Sequence, residues 1–139
     1  MTRFEYLDHT ADIGMRVFGE SLEQLFQNAN LGLLSYIVEG LDELRPTASE
    51  RVELIARDDA ELLIDWLNDR LYRFDAHEQI HAWATLEQVG EGRLLANSGY
   101  RLIDWERDTF RGEVKSATYH GLRLEREADL WVAEVVFDL

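Results

Sequence analysis

The chain has 139 residues, 46% of them apolar, a length and composition that suit one domain, 1–139, with a real core. Twenty-eight acidic residues against 14 basic ones leave a net charge of −14. A field of that sign repels phosphate backbones, so no direct nucleic-acid binding is expected; a cation or a basic protein is the natural complement, the alternative being that the acidity only supports solubility. The absence of cysteine excludes disulfides, thiol nucleophiles and cysteine-based zinc sites. No apolar run is long enough for a transmembrane helix and no secretory signal is read at the start, so a cytoplasmic protein without membrane contact is expected.

The predicted elements follow in chain order. Phe4-Glu5-Tyr6 alternates as a short strand, and Ile13, Met15 and Val17 alternate with Gly14, Arg16 and Phe18 in a second that ends at Gly19. Ser21 is a good N-cap, and Gln24 completes a capping box. Leu22, Leu25, Phe26, Ala29, Leu33, Tyr36 and Ile37 then keep helical spacing to about Val38, and Gly40 closes the helix. Residues 51–57 alternate as a strand. Asp58 and Asp59 stand where carboxylates cap free amides, before a helix with Leu62, Leu63, Trp66, Leu67, Leu71 and Phe74 as its apolar stripe. The remainder reads as strands over 80–89, 93–104, 112–124 and 130–138, with turns at Gly90-Glu91-Gly92 and Arg126-Glu127-Ala128-Asp129. The order β-β-α-β-α-β-β-β-β predicts an α+β fold: a two-layer sandwich, two helices packed on one face of a mostly antiparallel sheet.

One constellation can carry chemistry. Asp12 begins one strand and Asp138 ends another, with Leu139 directly after it. If those strands are antiparallel neighbours, the start of one lies beside the end of the other. Asp12, Asp138 and the Leu139 main-chain carboxylate would then form an oxygen-rich pocket suited to calcium, magnesium or manganese. The alternative reading makes Asp12 a turn cap and Asp138 a solvated strand end. His9, in the same turn, could ligate a metal, relay a proton or hydrogen-bond the loop backbone. Lys115, read inside a strand, could contact a phosphate, a carboxylate or a partner, or serve as an edge lysine that resists aggregation. Asp65 and Asp69 read as a solvated helix face, His77 and His81 as surface residues, and His120 as a cross-strand structural residue. No phosphate-cradling glycine loop, nucleophile elbow or hydrolytic triad is present, which sets a metal-dependent hydrolase using Asp12, Asp138 and His9 behind the other readings.

Three segments together resemble the archease family: Leu7-Asp8-His9-Thr10-Ala11-Asp12-Ile13-Gly14; Leu62 to Asn68 with Leu71 to Asp75; and Val114 to Leu122 with Val135-Val136-Phe137-Asp138-Leu139. The resemblance implies an archease-like fold and a small cytoplasmic cofactor protein for a GTP-dependent, RtcB-type RNA ligase of tRNA splicing and RNA repair. Such a protein promotes guanylylation of the ligase and multiple turnover without ligating RNA itself. The resemblance also places a divalent-metal site on Asp12, Asp138 and Leu139, with calcium foremost, and makes Lys115 a candidate for the ligase-contacting or active tip. The segment 97–105 and the pair Ser116-Ala117 depart from the family's pattern; the metal positions do not. A general chaperone or modulator of RNA-modifying enzymes is the alternative function.

Overall fold

The computed structural model describes residues 2–8 and 12–139. Seven strands and two helices follow in chain order: β1 (Phe4–Asp8), β2 (Asp12–Gly19), α1 (Leu22–Ile37), β3 (Ala48–Ile55), α2 (Asp59–His77), β4 (Gln79–Gly90), β5 (Arg93–Leu102), β6 (Ser116–Glu127) and β7 (Leu130–Asp138). A short 3-10 turn, Leu41–Glu43, lies between α1 and β3. The predicted order and the α+β class hold. The strands, however, divide into two antiparallel sheets, β1-β2-β7-β6 and β3-β5-β4, where the sequence had suggested one. Each helix packs on both sheets.

Local chemistry sets the helix starts. The Ser21 hydroxyl accepts from the Gln24 N–H (3.1 Å), and the Gln24 side chain accepts from the Glu20 N–H (2.6 Å), one residue before the position of an ideal capping box. Asp58 caps α2 by accepting from the Glu61 N–H (2.8 Å). Val38 ends α1, and Gly40 then takes φ 73°, a left-handed turn that glycine enters without a Cβ clash. The apolar stripes meet in one core. Leu25, Phe26, Leu33 and Leu34 of α1 and Leu62, Leu63, Trp66 and Leu67 of α2 are all fully buried, together with Met15, Val17, Val135 and Phe137 of the larger sheet.

His81 corrects the sequence reading. It is not on the surface but buried, because a register shift between Ile80 and Trp83 breaks the alternation of β4 and turns Gln79, Ile80, His81 and Ala82 all inward. It belongs to a polar chain under α2. The buried Arg70 guanidinium stacks on Trp66 (4.0 Å to the ring centroid) and donates to the Ser98 hydroxyl. Ser98 then donates to His81 Nδ1 (2.7 Å), and His81 Nε2 donates to the Gln79 carbonyl (2.8 Å), which fixes the tautomer through the network. Gln79 in turn donates to Glu50 (2.8 Å), which also accepts from Arg73. Asp69, predicted on a solvated face, is drawn partly inward by ion pairs with Arg70 and Arg73.

Burial, and then the charges of Arg70 and Arg73, push the His81 pKa down to about 3. Between the ordinary imidazole value and that figure, the unfolded chain binds a proton that the folded chain refuses. Stability therefore falls as pH drops through that interval. Urea unfolding should show wild-type protein losing up to about 2 kcal/mol between about pH 7 and about pH 5 through this residue, with the loss much reduced in His81→Gln. Equal losses in both proteins would remove His81 as the cause.

Candidate metal and partner site at the β2–β7 sheet end

The site follows from strand register. β2 pairs with β7 antiparallel, and Asp12 lies directly opposite Asp138. β6 adds Ser116 opposite Asp138 on the other side. Residues opposite one another in an antiparallel pair share a face, so Asp12, Asp138 and Ser116 form one row across three strands. The next row, Ile13, Phe137 and Ala117, is buried in the core on the opposite face. The aliphatic alternation of β2 and β7 thus locks the two aspartates together, because a slip of one residue would drive Ile13 and Phe137 into water.

Lys115 stands at the same end. It is exposed and lies just before β6, not inside a strand as predicted, and its N–H donates to the Asp138 carbonyl (2.8 Å). It is the only lysine of the chain. Its side chain makes no hydrogen bond or ion pair among the described residues. Leu139 follows Asp138 and is 41% exposed. His9 lies outside the described residues. His120 has no paired partner, because β6 carries extra residues between Thr118, paired with Val136, and Arg123, already paired with Glu134. Gly121, at φ 66°, turns the chain within that bulge, so His120 is an exposed bulge residue and not a cross-strand one.

Asn68 holds this end in place, and nothing in its sequence spacing announced the role. Its side-chain amide donates to the Ala117 carbonyl (3.1 Å) and its carbonyl accepts from the Ala117 N–H (2.8 Å). β6 is an edge strand of its sheet, so those two main-chain groups have no neighbouring strand to pair with. One side chain of α2 takes the place of that strand.

The donor set can be judged on its chemistry. Two carboxylates in register, with main-chain oxygens beside them, are hard ligands suited to a hard dication. Among the described residues, no three His, Cys, Asp or Glu side chains gather to hold a metal. Any ion held here would therefore take the rest of its shell from main-chain oxygen and water.

Two helices packed on antiparallel sheets place the chain in the α+β class. The chain matches the Archease protein family (MTH1598/TM1083) over residues 4–139 and belongs to that family. It is 35% identical to protein archease of Methanosarcina mazei, over 99% of this chain and 96% of that one. It is 34% identical to protein archease of Thermococcus gammatolerans, over the whole of both chains. The solution structure of Methanobacterium thermoautotrophicum protein 1598 superposes with a TM-score of 0.78 at 28% identity, covering 100% of each chain. The crystal structure of a Thermotoga maritima archease, described as a possible chaperone, gives 0.65 at 24% identity, covering 96% of this chain and 94% of that one. No helix among the described residues is long and apolar enough to cross a membrane.

Asn68→Ala would strand both main-chain groups of Ala117 at the edge of β6. Denaturant unfolding should show a loss of about 1–3 kcal/mol, and amide exchange should quicken at residues 115–118. Unchanged stability and exchange would show that water replaces the clamp without cost.

Proposed function

We propose that this archease-family chain is a cytoplasmic protein cofactor of a GTP-dependent RNA ligase in tRNA splicing and RNA repair. In this reading it promotes guanylylation and repeated turnover of the ligase and is not itself the ligating enzyme. The observation that supports it is the register that sets Asp12 opposite Asp138. Asp12, Asp138 and the main-chain oxygens of Leu139 would hold a divalent ion, calcium foremost, with magnesium or manganese as the other hard cations of the right chemistry. A dication there supplies positive charge that can stabilise phosphate oxygens.

The chain's own residues do the rest. Paired aspartates at a sheet end present a compact negative site, rigid because both strands are anchored by core side chains. Lys115, held by its main-chain bond to Asp138, brings the chain's one lysine to the same sheet end. It is suited to a carboxylate or phosphate on the partner. The net charge of −14 steers encounter with a basic, RNA-binding protein and discourages contact with the RNA itself.

A reconstitution tests this: limiting ligase, GTP and broken RNA, with and without the chain. Wild type should give many turnovers per ligase. Asp12→Ala, Asp138→Ala and Lys115→Ala should each return ligation to the level of ligase alone while keeping wild-type circular dichroism. Full multiple-turnover stimulation by both aspartate variants would defeat the reading. A second reading, a general chaperone, takes its support from the large apolar side chains in water, Ile55 at 75% and Trp105 at 65% exposure. It expects binding to many unrelated basic proteins and indifference to Asp12→Ala.

A further inference from the structure

The connection from β5 to β6 lacks regular structure, yet it is firmly held. The Arg111 N–H donates to the Ile37 carbonyl (2.8 Å), the Glu39 N–H donates to the Thr109 carbonyl (3.0 Å), and Phe110 bridges to Val38. Asp108 pairs with Arg101 (2.8 Å) and accepts from the Asp104 N–H (2.7 Å). At Gly112 the backbone lies flat on Tyr36; a Cβ there would come within 2.9 Å of the ring.

This fixed segment builds an aromatic wall. Phe74 of α2, Phe110 and Trp105 follow one another, with ring centroids 6.1 Å and 5.5 Å apart. The Trp105 indole N–H donates to Glu78 (3.2 Å), which holds a ring that is 65% exposed. In front of the wall is an open hollow of about 460 Å³, bounded by Asp75, Glu113 and Lys115. Its volume lies within the ordinary range of ligand sites.

The charges in the hollow are unbalanced. Neither Asp75 nor Glu113 makes a hydrogen bond or ion pair among the described residues. Burial first, and then the charge of Glu113, hold the Asp75 carboxyl above the usual carboxylate range. Two carboxylates facing aromatic surface is an arrangement that a cation relieves, because the ring faces are also negative. With Lys115 the three groups leave a single negative charge, which matches one monovalent cation better than a dication. A guanidinium is flat, weakly hydrated and able to stack and pair with carboxylates at once; an ammonium is compact and strongly hydrated.

We propose that this hollow is a binding site for an arginine side chain carried by a basic protein partner, with the guanidinium stacked on Trp105 and Phe110 and paired with Asp75 and Glu113. The strongly acidic surface favours such a partner over a nucleic acid. The proposal does not depend on the identity of that partner, nor on the metal site.

The test uses the full chain alone. Two-dimensional amide NMR follows titration with acetyl-Gly-Arg-Gly-amide, with the lysine counterpart, and with the citrulline counterpart, a neutral shape mimic. The arginine peptide should shift the amides of 105, 110, 113 and 115 and the Trp105 indole, and should bind at least about tenfold more tightly than the citrulline peptide. The double variant Asp75→Asn, Glu113→Gln and the variant Trp105→Ala should each lose most of that preference. Equal binding of arginine and citrulline peptides to wild type would overturn the proposal, whatever the variants do. So would shifts spread over the acidic surface without focus on the hollow. Because no ligase is present, failure here leaves the ligase reading standing, and failure of the reconstitution leaves this one standing.

Discussion

In an antiparallel pair, a slip of one residue turns every side chain to the other face of the sheet. Between β2 and β7 that slip is forbidden by Ile13, Met15 and Val17 on one strand and Val135 and Phe137 on the other, all buried against the helices. The same constraint fixes Asp12 opposite Asp138. Packing along the strands thus holds two like charges together at their ends, where direct cross-strand neighbours of the same sign repel. In the proposed function that pair is the seat of a cation.

The neighbouring elements turn that seat into a surface. Asn68 completes the edge of β6, and the main-chain bond from Lys115 to Asp138 joins the lysine to the aspartates. Beneath α2, the chain from Arg70 through Ser98, His81 and Gln79 to Glu50 ties the helix to the smaller sheet. A fully buried arginine is costly unless its donors are used; here Ser98 and Asp69 take the two Nη groups and the Trp66 ring covers the plane, while Nε has no hydrogen-bond partner. The helix that carries Asn68 is thereby anchored to both sheets, so the sheet end with Asp12, Asp138 and Lys115 rests on a stiff base.

The element order was legible because it rests on short-range periodicity, whereas the juxtaposition of Asp12 with Asp138 was a conditional expectation that the β2–β7 pairing meets. Alternating aliphatics mark β2 and β7, and an aspartate stands at the end of each. The division into two sheets was not legible, since strand pairing is decided by contacts far apart in sequence. His81 was misread because a bulge breaks alternation locally and leaves no compositional mark. Asp69 looked solvated because its partner Arg73, on the same helix, gives no sign that a buried Arg70 draws both inward. Lys115 was read into a strand that begins one residue later. The ends of segment 103–115 were read into the strands 93–104 and 112–124, but β5 stops at Leu102 and β6 starts at Ser116; hydrogen bonds to the end of α1 hold the segment instead, so the aromatic wall of Trp105 and Phe110 could not be read in advance.

The most direct measurement is thermal unfolding of wild type and Asp138→Asn, first in chelator and then with calcium. In chelator neither protein holds a dication, and the two melting temperatures set the baselines. Added calcium should raise the melting temperature of the wild type and leave the variant nearly unmoved. Equal calcium shifts in the two proteins would contradict the paired-aspartate seat.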